Sequence, residues 1–306
     1  MNGETAQESI FIPVGGKDEL HLRRIYGDPM GEPLFLLHGS IENGRIFYSE
    51  SGKGLGPYLA QAGFDVYVGD LRGRGLSRPR IGKGSAYGQT EAIVEDLPAF
   101  LGEIRRRRGM LPRHWIAHSW GGVLLMAFYA RFPDWRPGLE SVLCFGTKRR
   151  IAVFNREKFL KIDLFWNLAA PLLARIYGYL PMQEWKMGSD NETVASLNQN
   201  RLWVKAGSPW VDPLDGFDYG KAILAAPPPP TFHFAGIRDF YLGHPHDVQD
   251  FIGETKPRRV KYQLLSRDNG QRHDYGHIDM LTHPDAPQDH FPMALDWLKG
   301  GFTRPG

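Results

Sequence analysis

Short apolar runs alternate with longer stretches of helical periodicity along most of the chain. Leu34–His38, Phe64–Leu71, His114–His118, Leu139–Phe145, Thr231–Ala235 and Val260–Ser266 are rich in leucine, aromatic and β-branched residues, as expected of strands buried on both faces. Between them Leu55–Ala62, Thr90–Arg108, Trp120–Arg131 and Asp247–Gly253 read as helices, and Asp285–Lys299 closes the chain as another. In the second of these, Ile93, Leu97, Leu101 and Ile104 recur at three- and four-residue intervals, which places them on one face. Strand and helix alternating in this way predict an α/β fold, a mainly parallel eight-stranded sheet flanked by helices. The first 27 residues differ, with two strand-like runs around Gly15-Gly16 and Lys17-Asp18. They predict an antiparallel hairpin at one sheet edge.

The alternation stops between Thr147 and Ala226. That stretch holds Trp166, Trp185, Trp203, Trp210, Tyr177 and Tyr179 among short helical patterns and many prolines. We expect a helical cap, residues 148–226, inserted into a core built from 1–147 and 227–306, with Pro227 to Pro230 as a stiff junction. The aromatics suit either the cap's own core or the wall of an apolar pocket; Trp166 and Trp203 are the candidates for substrate contact. Leu164 to Met182 is the most apolar long window, but Asn167, Pro171, Arg175 and Pro181 interrupt it within the roughly 20 residues a membrane span needs. It predicts two short buried helices, and a surface able to dock on lipid.

Composition narrows the function classes. The 306 residues carry 37 Lys and Arg against 34 Asp and Glu, a formal +3, so no bulk field points to nucleic acid. Cys144 is the single cysteine, which excludes an internal disulfide, and its strand context suits a buried inert thiol. Met1 to Ser9 is polar and slightly acidic, unlike a secretory leader, so the expected location is cytoplasmic. Arg105 to Arg108 ends a predicted helix, where cations complement the dipole on a solvated face.

The chemistry centres on Ala117-His118-Ser119-Trp120-Gly121-Gly122, between the strand HWIAH and the helix WGGVLLMAFYA. A nucleophile elbow needs this context, because a sharp strand-to-helix turn lifts the serine hydroxyl out of the sheet. A serine needs a histidine base and a carboxylate to orient it. Asp239 follows the strand after the insertion, and His277 sits in the loop between the last strand and the closing helix. His21, His38, His114 and His233 lie in or at the ends of strands, His118 is expected to point away from the serine, and His273, His283 and His290 read as solvated or capping. His273, His277, Asp279 and His283 lack the spacing of a metal site, and no cofactor is implied.

The order Ser119, Asp239, His277, together with His38-Gly39, the run Asp70-Leu71-Arg72-Gly73-Arg74-Gly75-Leu76-Ser77, Gly236-x-x-Asp239 and Gly276-His277, resembles an α/β-hydrolase from about Glu19 to Lys299. In finer detail it looks like the lipase, esterase and polyhydroxyalkanoate-enzyme branch. The resemblance implies that the backbone N–H groups of Ser40 and Trp120 form an oxyanion hole, with Asp70 and Arg72 tying down a turn. It implies hydrolysis of a small or lipid-like carboxylic ester with an apolar acyl or alcohol part through an acyl-serine. The same triad could act on an amide or a carbon–carbon bond, and the fold also occurs in non-enzymatic binding proteins.

Overall fold

The computed structural model describes residues 5–303. Eight strands form one sheet: Ala6–Gly15 (β1), Asp18–Tyr26 (β2), Glu32–Leu37 (β3), Phe64–Asp70 (β4), His114–His118 (β5), Ser141–Phe145 (β6), Thr231–Gly236 (β7) and Val260–Leu265 (β8). Their spatial order is β1-β2-β4-β3-β5-β6-β7-β8. β1 pairs antiparallel with β2 and β2 antiparallel with β4, whereas every later pairing is parallel. The predicted edge hairpin is therefore present, turning at Gly15 and Gly16, whose φ values of 117° and 56° suit glycine.

Burial on both faces explains why the strands read as apolar runs. Phe35, Leu37, Trp115, Ala117, Val142 and Cys144 pack on one side with the helices Leu97–Arg108 and Trp120–Arg131. Leu34, Leu36, Val66, Ile116, Leu143 and Phe232 pack on the other with Leu55, Leu59, Phe291 and Trp297. Alternate strand residues go to opposite clusters, and each fully buried Leu or Phe contributes about 1.5–3 kcal/mol.

The sequence reading departs from the structure in two elements. The closing helix is broken into Ala286–Asp289, Phe291–Asp296 and Trp297–Gly301, because Pro287 and Pro292 fit only the first turn of a helix. The stretch predicted as two short buried helices runs instead from Phe159–Ala169, wound wider than an α-helix, into Ala170–Tyr177, ending at Gly178 with φ 82°. One side of it, Ile162, Ala170 and Ala174, is buried. Leu164, Leu168, Leu172 and Ile176 are exposed at 41%, 66%, 62% and 69%. A repeat of four along a helix makes a single ridge, and among the described residues no element covers it. Among the described residues no helix is long and apolar enough to cross a membrane.

Between β6 and β7 the chain leaves the sheet. This segment also contains the helices Val194–Val204 and Tyr219–Ala225, and buries Trp203 and Trp210 beside Tyr219, with ring centroids 5.5 to 6.4 Å apart.

Candidate active site

Ser119 joins β5 to the helix Trp120–Arg131 at φ 50°, ψ −123°. A non-glycine residue held there costs on the order of 1–3 kcal/mol, supplied by the packing around it. Ser119 N–H donates to the Phe145 carbonyl (2.8 Å), tying the turn to β6. A Cβ on Gly121 would lie 2.4 Å from the His38 carbonyl oxygen, and one on Gly39 2.8 Å from Ser119 Cβ. Only glycine lets the helix start and the His38-Gly39 turn close on the serine. His38 Nε2 accepts from Leu71 N–H (3.1 Å), so its proton is on Nδ1, which donates to Gly39 O (2.8 Å). Burial keeps that ring neutral by lowering its proton affinity.

The structure brings Asp239 and His277 together. His277 Nδ1 donates to Asp239 Oδ2 at 2.5 Å, and Leu242 N–H donates to Oδ1 at 3.0 Å. Burial would raise the affinity of Asp239 for a proton, but His277, backbone N–H groups and the Lys148 charge outweigh it and hold the carboxyl below its ordinary range. Arg238 N–H donates to the Tyr275 carbonyl (2.9 Å), which clips the aspartate turn to the histidine loop. His277 stands over Gly146, where a Cβ would fall 2.9 Å from Nδ1. Its Nε2 and the half-exposed Ser119 Oγ make no hydrogen bond among the described residues, and such contacts commonly tighten only with substrate.

Neither the Ser40 nor the Trp120 backbone N–H has a partner among the described residues. Both flank the serine, through Gly39 and through the peptide bond. Beside them lies a cavity of about 20 Å³ bordered by Ser40, Arg74, Tyr87, Gln89, Trp120 and Glu192, room for about one water or hydroxyl. Its rim is charged: Arg74 donates to Glu192 Oε1 at 2.6 Å, with both side chains buried. Ser40 Oγ and Glu192 Oε2 are buried with no hydrogen-bond partner among the described residues. Trp166 and Trp203 do not border it. Trp203 stacks on Trp120 at 6.3 Å with its Nε1–H on the Val211 carbonyl, and Trp166 donates to Asn200 Oδ1.

Lys148, on the turn after β6, is buried with its ammonium 5.6 Å from the Trp120 ring centroid. Burial pushes it down to about 8 against the pull of Asp239 and Asp247. Asp70 and Arg72 are architectural, as expected: Asp70 accepts from Gly44 and Leu76 N–H, and Arg72 pairs with Asp96. Cys144 is buried, its thiol pushed up to about 12.

The His118 ring lies 4.6 Å from that of His277 and contacts Glu42. Two residues contradict the sequence reading. His290 is fully buried, donating from Nε2 to the Met280 carbonyl at 2.6 Å, since the broken closing helix folds it under Tyr275. Arg108 is not solvated but pairs with the buried Asp65. Among possible metal ligands, His273, His283 and Asp285 come within 4.8 Å of one another. Asp285 already accepts from His273 (2.6 Å) and His283 Nδ1 from Asp285 N–H, so the set is satisfied internally.

Comparison with known proteins bears on family and fold. Residues 32–268 match the family described as serine aminopeptidase, S33. The chain is 26% identical to human lysosomal acid lipase/cholesteryl ester hydrolase over 140 residues, 43% of this chain and 35% of that protein. It is 30% identical to a monoacylglycerol lipase of Mycolicibacterium smegmatis over 139 residues, 44% of this chain and 45% of that one. These matches therefore span less than half of either relative. Among solved structures it is similar to the carboxylesterase CesB (YbfK) from Bacillus subtilis, with a TM-score of 0.57 and 15% identity over 97% of this chain and 93% of that one, a likeness of fold.

Proposed function

We propose that this chain, which belongs to the serine aminopeptidase S33 family of hydrolases, is a serine esterase acting on a carboxylic ester with an apolar part. Ser119 Oγ attacks the ester carbonyl while His277 Nε2 takes its proton. Asp239 holds the imidazole with Nε2 free and offsets the charge that develops on it. The Ser40 and Trp120 N–H groups receive the oxyanion, each donor worth about 3–4 kcal/mol in comparable sites. His277 then protonates the leaving alkoxide, and a water activated by the same nitrogen releases the acid from the acyl-serine. The observation that carries this reading is the 2.5 Å Asp239–His277 hydrogen bond beside a serine at φ 50°.

The segment 148–226 is, in this reading, the cap that selects the substrate; its Glu192, Thr193 and Ser196 reach the cavity next to Ser40. Labelling tests the chemistry. A fluorophosphonate is expected to modify Ser119 alone, and short p-nitrophenyl esters to turn over far faster than the matched anilides. Preference for the anilide would favour amide cleavage, and no labelling with no turnover would leave a non-enzymatic binding protein.

Two matched relatives are named as lipases, and the exposed ridge Leu164, Leu168, Leu172 and Ile176 suits a lipid-like ester delivered from an interface. Lys161 and Arg175 are exposed on the same segment. The protein is expected to sediment with phosphatidylglycerol-containing vesicles, and the double variant Leu168→Asp/Leu172→Asp to bind them at least roughly tenfold more weakly, with turnover of a soluble short ester retained. Absence of the wild-type protein from the vesicle pellet overturns the interfacial reading.

A further inference from the structure

His118 and Glu42 have no part in the proposed mechanism, yet they join its two halves. His118 is fully buried at the end of β5, one residue before Ser119. Its Nδ1 lies 2.6 Å from Glu42 Oε1 and its Nε2 3.0 Å from the His277 carbonyl oxygen. Glu42 Oε1 also accepts the Gly39 N–H. A carbonyl oxygen can only accept, so Nε2 must carry a proton. A second proton lies between Nδ1 and Oε1, and the Gly39 N–H donating to that same oxygen favours a carboxylate there and the proton on the ring. A neutral imidazole facing a carboxylate would set lone pair against lone pair at one of the two contacts.

We propose that His118 is a permanent imidazolium, paired with Glu42, that positions the reacting groups: it fastens the oxyanion turn and the histidine loop to β5, and it sets a fixed positive charge beside the His277 ring. The proposal rests on the assignment of His277 as general base. Burial opposes charge on His118, but Glu42 outweighs it and raises the proton affinity of the ring above the ordinary histidine value. Glu42, despite its own burial, is held below the ordinary carboxylate range by His118 and by the Gly39 N–H that donates to it.

The charges around the pair decide the sign. Asp239 faces His277 and favours its protonation; His118 faces it from β5 and opposes it. Lys148 lies behind Asp239, and the Asp279 carboxylate is occupied by Gly276 N–H. The charged groups that act on His118 are Glu42 and Asp239. Removing the His118 cation leaves the His277 ring facing the Asp239 carboxylate with no positive charge on its β5 side.

The test is the pH dependence of kcat/KM for a soluble short ester, measured on the full chain and on His118→Gln and Glu42→Gln. In His118→Gln the acid limb is expected to move up by about one pH unit, and in Glu42→Gln to move the same way by less, because the buried imidazolium that loses its counter-ion loses its proton and both charges vanish together. A limb that stays in place, with losses confined to the melting temperature or to a uniform drop in kcat, reduces the pair to a structural role and overturns the proposal. Histidine ¹⁵N NMR of the wild-type protein at pH 7.5 separates this outcome from failure of the esterase reading, since it needs no turnover. One buried ring protonated on both nitrogens, lost in His118→Gln, is expected; a neutral His118 ring overturns the proposal even if esters are hydrolysed.

Discussion

Ser119→Ala is expected to lower ester turnover by on the order of 10⁴–10⁶-fold, as removal of a nucleophile does where the rest of the machinery remains. The substitution keeps a Cβ at the same strained φ of 50° and removes a hydroxyl that makes no hydrogen bond among the described residues, so the folded state loses almost nothing. The melting temperature should stay within about 2 °C. Substrate binding should persist, since the unpartnered N–H groups of Ser40 and Trp120 are backbone. The measurement is steady-state kinetics with a fluorophosphonate control; retention of more than about a hundredth of wild-type kcat would exclude Ser119 as the nucleophile.

Asp239→Asn is expected to cost about 10⁴ in kcat. An amide is close to isosteric, so the loop held by Leu242 N–H survives, but the neutral group no longer stabilises the imidazolium and can hold the ring in the wrong tautomer. Substrate affinity should change much less than kcat. The same carboxylate links to stability. Its folded pKa is lowered, so its contribution is present above the unfolded value near 3.9 and is lost as pH falls through the folded value. Urea denaturation of wild type should therefore weaken below about pH 4, and Asp239→Asn should lose less over the same interval. An unchanged kcat in Asp239→Asn would assign the orienting role to another group.

Much of the fold was legible because both of its periodicities are local. Five- to eight-residue apolar runs are what strands buried on both faces of a mainly parallel sheet require, and Ile93, Leu97, Leu101 and Ile104 are indeed all buried. The site was legible where backbone geometry demands a residue type: glycine at 121 for contact with the His38 carbonyl, glycine at 39 for contact with Ser119. The proline-split closing segment carried its signal too, in Pro287 and Pro292, but apolar periodicity masked it.

What escaped was set by contacts between distant segments. Nothing local says that Glu42, 76 residues from His118, meets its ring, or that Glu192 pairs with Arg74 from 118 residues away. A histidine in a strand has the same local pattern whether its ring is a neutral core group or a cation under the neighbouring loop. Likewise the apolar content of Leu164–Met182 reads as buried, because hydropathy records what a residue prefers and not whether a neighbour arrives to cover it. Local pattern was enough for the sheet, for the sharp turn at Ser119 and for naming Ser119, Asp239 and His277 as candidates, since steric and solvation rules act over a few residues. The tertiary structure alone decided the pairing of Asp239 with His277, the charged surroundings of that pair and the exposed ridge, because Coulomb and packing energies depend on distance in space, which chain separation does not report.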